Sequence, residues 1–128
     1  GWTWALLGVP TPRPAMLRRR ADGEAVIAFP RLEGTVALST LMEEQRERAR
    51  RVAPHVELWL KRLGGTGFWH GDAKAQNILV DDQDRVHFID LDGAGFSGVS
   101  RRRARRQARD LKRFKRNWIQ FEEKPPGR

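Results

Sequence analysis

The sequence predicts an α+β fold, mostly helical, with a short β-hairpin at its functional centre and about two further strands ahead of it. Three observations carry that expectation. Two strand-like runs, Ile78-Leu79-Val80 and Val86-His87-Phe88-Ile89, flank the polar turn Asp81-Asp82-Gln83-Asp84. Apolar residues recur at helical spacing in two longer stretches: Val56, Trp59, Leu60 and Leu63, then Ala104, Ala108, Leu111, Phe114, Trp118 and Phe121. Asp22-Gly23 lies between two short segments of strand character, where glycine accepts the positive φ of a hairpin turn.

Taken in order, residues 1–8 read as the end of a helix, with Trp2, Trp4, Leu6 and Leu7 as its apolar surface and Gly8 as its stop. Pro10, Pro12 and Pro14 fix φ and remove amide donors, so an extended link follows. Residues 15–20 and 24–29 form the hairpin, the second strand being more apolar and expected to be more buried. Residues 30–34 break the sheet. Ser39 or Thr40 caps the next helix, with Glu43 closing a capping box. Its alternating charges suit a solvated face. Pro54 is expected to break or kink it. Residues 55–63 resume it and Gly64-Gly65 end it. Gly93, Gly95 and Gly98 give a loop, Ser100 caps a last helix over residues 101–121, and residues 122–128 form a tail. The expected division is therefore 1–34, 35–121 and 122–128.

A chain of 128 residues, 39% hydrophobic and 32% charged, can bury one small core. No apolar run approaches the roughly 20 residues that span a bilayer. The first eight residues are too short, and lack the basic start, for a secretory signal. The absence of cysteine excludes disulfides and thiolate metal sites and is compatible with a reducing compartment. A net charge of +9 implies attraction to anions: nucleic acid, acidic lipid or a phosphorylated substrate. The chain begins with Gly rather than Met, which points to a fragment or a processed chain.

The chemistry concentrates in residues 70–93. Asp72, Asn77 and Asp90 occur in that order, and the two strands between Asn77 and Asp90 would bring them together. Phosphoryl transfer needs such a set: oxygen ligands for Mg²⁺ and a carboxylate to orient the attacking hydroxyl. Asp72 is the expected base. Lys74 is placed to neutralise the transferring phosphate, Asn77 and Asp90 to hold Mg²⁺, and Leu79 to floor an adenine ring. His70 is expected to anchor the loop, and Asp92 to assist at the metal or bond the loop. A lone Asp or Asn in a loop is usually a turn former; the ordered combination carries the reading. His55 and His87 read as structural, since neither has a partner at metal-ligand spacing, and Trp59 and Trp69 read as core.

The region from about residue 29 to 118 resembles the C-terminal lobe of the bacterial lipopolysaccharide core kinases, the Kdo/heptose kinase family of the protein-kinase-like superfamily. The resemblance rests on Leu32-Glu33-Gly34, on His70-Gly71-Asp72-Ala73-Lys74-Ala75-Gln76-Asn77-Ile78-Leu79-Val80, on Phe88-Ile89-Asp90-Leu91-Asp92 and on the Arg-rich helix after them. It implies a kinase-like C-lobe over residues 35–121, with residues 1–34 as an N-lobe remnant and hinge, and Leu32 at the nucleotide. It implies ATP-dependent phosphorylation of a sugar hydroxyl on a lipid-linked core or another anionic small molecule, using ATP and Mg²⁺, at the cytoplasmic face of the inner membrane. One departure stands out. No Gly-x-Gly-x-x-Gly or Val-Ala-Ile-Lys-like strand precedes residue 30, and the first lysine is Lys61. The chain is then a fragment, a degenerate member, or completed by another chain.

Ten of the sixteen residues from 101 to 116 are Arg or Lys. Such a helix suits an acidic membrane surface. It suits nucleic-acid phosphates less, because no nucleic-acid-reading motif accompanies it. The alternative to an enzyme is a catalytically inactive kinase-like module whose basic helix binds anionic lipid or nucleic acid.

Overall fold

Two of the expected strands lead the structure. The computed structural model describes residues 8–125, and the helix expected before Gly8 lies outside that range. β1 (Met16–Arg19) and β2 (Ala25–Ala28) pair antiparallel, Met16 opposite Ala28. The turn between them has Gly23 at φ +89° and Asp22 Oδ1 accepting from the Glu24 amide at 3.0 Å. β1 is exposed along its length; in β2, Ala25 is also exposed, while Ala28 is half-buried and so deeper than Met16 opposite it.

The link before the hairpin does more than connect. Val9 enters the core, the Phe88 amide donates to Pro10 O at 2.7 Å, and Thr11 Oγ1 donates to Phe88 O at 2.8 Å. The proline-rich segment thus lies along β6 (Val86–Phe88). β6 pairs antiparallel with β5 (Ile78–Val80), and β5 with β3 (Val36–Ala37), in the order β3-β5-β6. β3 was not expected, because two residues leave no periodicity to read.

α1 (Leu38–Glu44) grows directly out of β3. Its N-cap is Ala37 with no side-chain cap, so neither Ser39 nor Thr40 caps it and the expected capping box is not formed. Burial of Leu38, Leu41 and Met42 sets where the helix begins. The chain breaks at Gln45, whose amide closes α1 on Leu41 O and whose carbonyl accepts from the Ala49 amide of α2 (Arg46–Gly65). Pro54 therefore lies inside a continuous helix rather than ending one. Its missing amide costs one hydrogen bond. Val52, Ala53, Val56, Leu60 and Leu63, buried on both sides of it, keep the helix running. Each large apolar side chain so buried stabilises by about 1.5–3 kcal/mol. The helix stops at Gly65, as expected.

β4 (Phe68–Trp69) pairs with β7 (Gly95–Phe96), and α3 (Ser100–Glu123) closes the structure against α2. Val99, not Ser100, is the N-cap of α3. α3 runs past the expected end at residue 121, and Glu122 pairs with Arg50 at 3.0 Å. Its buried face is Asp110, Phe114 and Phe121, with Leu111 and Trp118 packed against the core; Ala104 and Ala108 are exposed. The β5–β6 turn is held by Asp81, which accepts from the amides of Gln83 and Arg85, from Arg85 Nε and from His87 Nε2. Burial alone would raise its pKa, but these hydrogen bonds outweigh it and hold the carboxyl well below the usual range. His87 is structural, as expected. Arg48 ties the turn to α2 through Asp84 Oδ1 at 2.7 Å and Asp81 O at 2.6 Å. Among the described residues, no helix is long and apolar enough to cross a membrane.

Candidate active site

The loop from His70 to Asn77 connects β4 to β5 and lies against the turn after β6. Gly71 sits at φ +92°, and a Cβ there would lie 2.1 Å from Gly93 O, so only glycine permits this approach. His70 bridges the same two segments. Its Nδ1 accepts from the Asp72 amide at 3.2 Å and its Nε2 donates to Ile89 O at 2.9 Å. An amide only donates and a carbonyl only accepts, so the ring is the neutral Nε2–H tautomer. Burial lowers its pKa accordingly. The Ile89 amide donates to Asn77 O at 3.0 Å, and Asp90 follows in the left-handed region at φ 58°. The backbone of Asn77 thus lies beside the residue that precedes Asp90, as the two-strand reading expected, and His70 anchors the loop.

Asp72 is the electrostatic centre. Oδ1 lies 2.8 Å from Arg113 Nε, and Oδ2 lies 3.2 Å from Lys74 Nζ and 3.1 Å from Asn77 Nδ2. Burial raises its pKa, but the Lys74 hydrogen bond and the Arg113 and Lys74 charges together hold it below the usual carboxylate range. It is ionised at neutral pH. Asn77 Nδ2 also donates to Asp72 O at 3.0 Å. Both amide hydrogens are spent, which leaves Oδ1 as the acceptor.

α3 supplies three groups that sequence reasoning missed. Asp110 accepts from the amides of His70 at 2.7 Å and Gly71 at 2.9 Å. Arg113 holds Asp72, and Asn117 Oδ1 accepts from the Ala75 amide at 3.2 Å. The three lie at i, i+3 and i+7, along one helix face, and grip the loop in sequence order. Asp110 is 5% exposed, and burial pushes its carboxyl up although the two amides pull it down. A signal existed: Asp110 is the sole acidic residue between 101 and 121.

Two clefts lie near the loop. One, of about 1020 Å³, is lined by Leu32, Leu79, Phe29, Asp90 and Asp92 among others. The other, of about 790 Å³, is lined by Lys74, Arg113, Arg46, Asn117 and Lys124 with their neighbours. Leu32, Leu79 and Asp90 therefore share one cleft, while Lys74 opens into the other. Neither Asp72 nor Asn77 is among the residues lining either cleft. Among the described residues, no three His, Cys, Asp or Glu converge as a metal-holding group.

No curated protein matches the chain. The sequence does match the family model described as "Lipopolysaccharide kinase (Kdo/WaaP) family" over residues 4–125, which includes the loop, both clefts and all of α3. The chain belongs to the lipopolysaccharide kinase (Kdo/WaaP) family.

Proposed function

We propose that the chain carries the catalytic half-site of an ATP-dependent phosphotransferase, which phosphorylates a sugar hydroxyl on a lipid-linked lipopolysaccharide core. The observation that carries it is the ionised Asp72, held in a loop that His70 and Asn77 tie to the Asp90 turn. In this reading residues 1–34 are the N-lobe remnant and hinge, and the kinase-like C-lobe begins at residue 35 and runs beyond the expected residue 121, because α3 continues to Glu123.

The residues present suit the implied cofactors. Asn77 Oδ1 and the exposed Asp90 carboxylate are oxygen ligands, the kind Mg²⁺ takes together with nucleotide phosphates. Leu32 and Leu79 share a cleft of about 1020 Å³, of the size class that holds small ligands. Mg²⁺-ATP supplies the transferred phosphoryl group and neutralises charge on it. Asp72 orients the acceptor hydroxyl and takes its proton. Lys74 screens the charge that develops beside it, and His70 stays neutral and keeps the loop in register. The test is a thermal shift with Mg²⁺-ATP on the wild type and on Asp90→Ala. A shift present in the first and lost in the second supports the reading; no shift in either refutes it for this chain.

A second role has its own observation. Arg101, Arg105, Arg109, Lys112 and Arg116 fall on the exposed side of α3, and Phe96 and Val99 beside its start are 59% and 64% exposed. A basic stripe edged by apolar side chains suits peripheral contact with an anionic inner membrane at its cytoplasmic face. If the chain is a binding module only, vesicle binding falls steeply with salt and Asp72→Asn leaves it unchanged.

A further inference from the structure

The two clefts have opposite charge. Arg46, Lys74, Arg113 and Lys124 line the 790 Å³ cleft against one carboxylate, Glu43. Arg31 is the one cation in the 1020 Å³ cleft, against Glu33, Asp90 and Asp92. An anion is favoured in the first and disfavoured in the second unless it brings its own cation.

Arg113 joins the basic cleft to the base. Its Nε is taken by Asp72 Oδ1 at 2.8 Å, yet the side chain stays 50% exposed. Among the described residues, no acceptor takes its two Nη nitrogens. Lys124 lines the same cleft, and among the described residues its ammonium has no acidic partner. A guanidinium with a free Nη edge matches the paired oxygens of a phosphate or carboxylate. Neutralising Asp72 requires only one charge, and Lys74 already supplies it at 3.2 Å.

We infer that the 790 Å³ cleft is an anion subsite of the acceptor, in which Arg113 holds a phosphate or carboxylate on the sugar, Lys124 adds its charge about three helix turns further along α3, and Asp72 receives the hydroxyl. The inference rests on the phosphotransferase reading for the word acceptor; the subsite itself rests on the charges. An anionic group held by Arg113 is one side chain from the base. The subsite therefore selects the acceptor by its charge and orients it by the bidentate contact. Neutral sugars lack that anchor.

The experiment is calorimetric titration of the full chain with glucose 6-phosphate, gluconate and glucose. The two anions are expected to bind and glucose is not. Tighter binding of glucose 6-phosphate marks a phosphate subsite; tighter binding of gluconate marks a carboxylate subsite. Arg113→Met should weaken the anion by about tenfold or more, the loss of a charge-assisted contact. Arg113→Lys should recover part of that loss. Lys124→Met, remote from Asp72, should weaken anion binding with no effect on folding. Mg²⁺-ATP affinity should be the same in all of them, and Mg²⁺-ATP should not displace the anion. Unchanged anion affinity in both Met variants overturns the inference, as does competition by Mg²⁺-ATP. If Mg²⁺-ATP fails to bind while the anion still depends on Arg113, the phosphotransferase reading falls and the anion subsite stands.

Discussion

The two clefts near the 70–77 loop are built in different ways. The acidic one is assembled mainly from short segments along the β5–β6 side: Leu32 and Gly34 before β3, Leu79 on β5, Asp90 and Asp92 after β6. The basic one depends on α3, whose Arg113 and Asn117 arrive some forty residues after the loop they contact. The first can be anticipated from a local motif. The second exists only because a distant helix crosses at the right height. Asp72 is the residue that the proposed function shares between them, and the contrast can be broken from either side.

The largest expected effect is at the shared residue. Asp72→Asn should lower phosphoryl transfer by about 10²–10⁴-fold, the usual worth of a general base, while Mg²⁺-ATP still binds. Product formation under saturating nucleotide checks it, and near-normal turnover would show that Asp72 is not the base. Next comes the α3 grip. Asp110→Ala strands the His70 and Gly71 amides, and each buried unsatisfied donor costs about 1–3 kcal/mol. Urea unfolding should show a loss of that order or more. A change no larger than that of an ordinary surface substitution would mean that α3 does not hold the loop.

A smaller change separates the clefts. Leu79→Ala removes apolar surface from the acidic cleft only, worth roughly 1–2 kcal/mol if the side chain covers a ring. Nucleotide affinity should fall by about tenfold, with glucose 6-phosphate binding untouched. Parallel loss of both would show that the clefts are one site.

The smallest effect is pH-dependent. His70 has a lowered pKa in the folded protein, because burial disfavours its charged form. The unfolded chain therefore binds more protons below about pH 6.5, and stability falls as pH drops through that value. Asp72, Asp81, Asp84 and Glu122, all lowered, add their own losses only below about pH 4, near their unfolded values. Asp110, raised by burial, works in the opposite sense and above its ordinary value of 3.8, where the folded chain holds the extra proton. Unfolding midpoints between pH 5 and 7.5 should decline toward acid in the wild type and flatten in His70→Gln. An equal slope in both would remove His70 from the account.

The residue motif and its hairpin were legible because their physics is local. Alternating apolar residues around a polar turn suffice for β5 and β6, and Gly23 suffices for the β1–β2 turn. Two helix boundaries misled for a shared reason. Ser39 and Pro54 carry strong local preferences, yet the burial of Leu38, Leu41, Val52 and Val56 overrode both. The stripe on α3 misled differently. Apolar periodicity placed Ala104 and Ala108 inward and assigned no charge to the core, whereas Asp110 turns in to satisfy two backbone amides.

By itself, the sequence determined the α+β class, the family, the order Asp72–Asn77–Asp90 and the strong positive charge. Each of these is a property of contiguous residues or of composition. Only the tertiary structure decided which arginine of α3 meets Asp72, and that Lys74 and Leu79 line different clefts. The reason is that a helix's rotation about its axis is fixed by what it packs against. For α3 that partner is the backbone of a loop about forty residues away, whose amide donors needed a buried carboxylate.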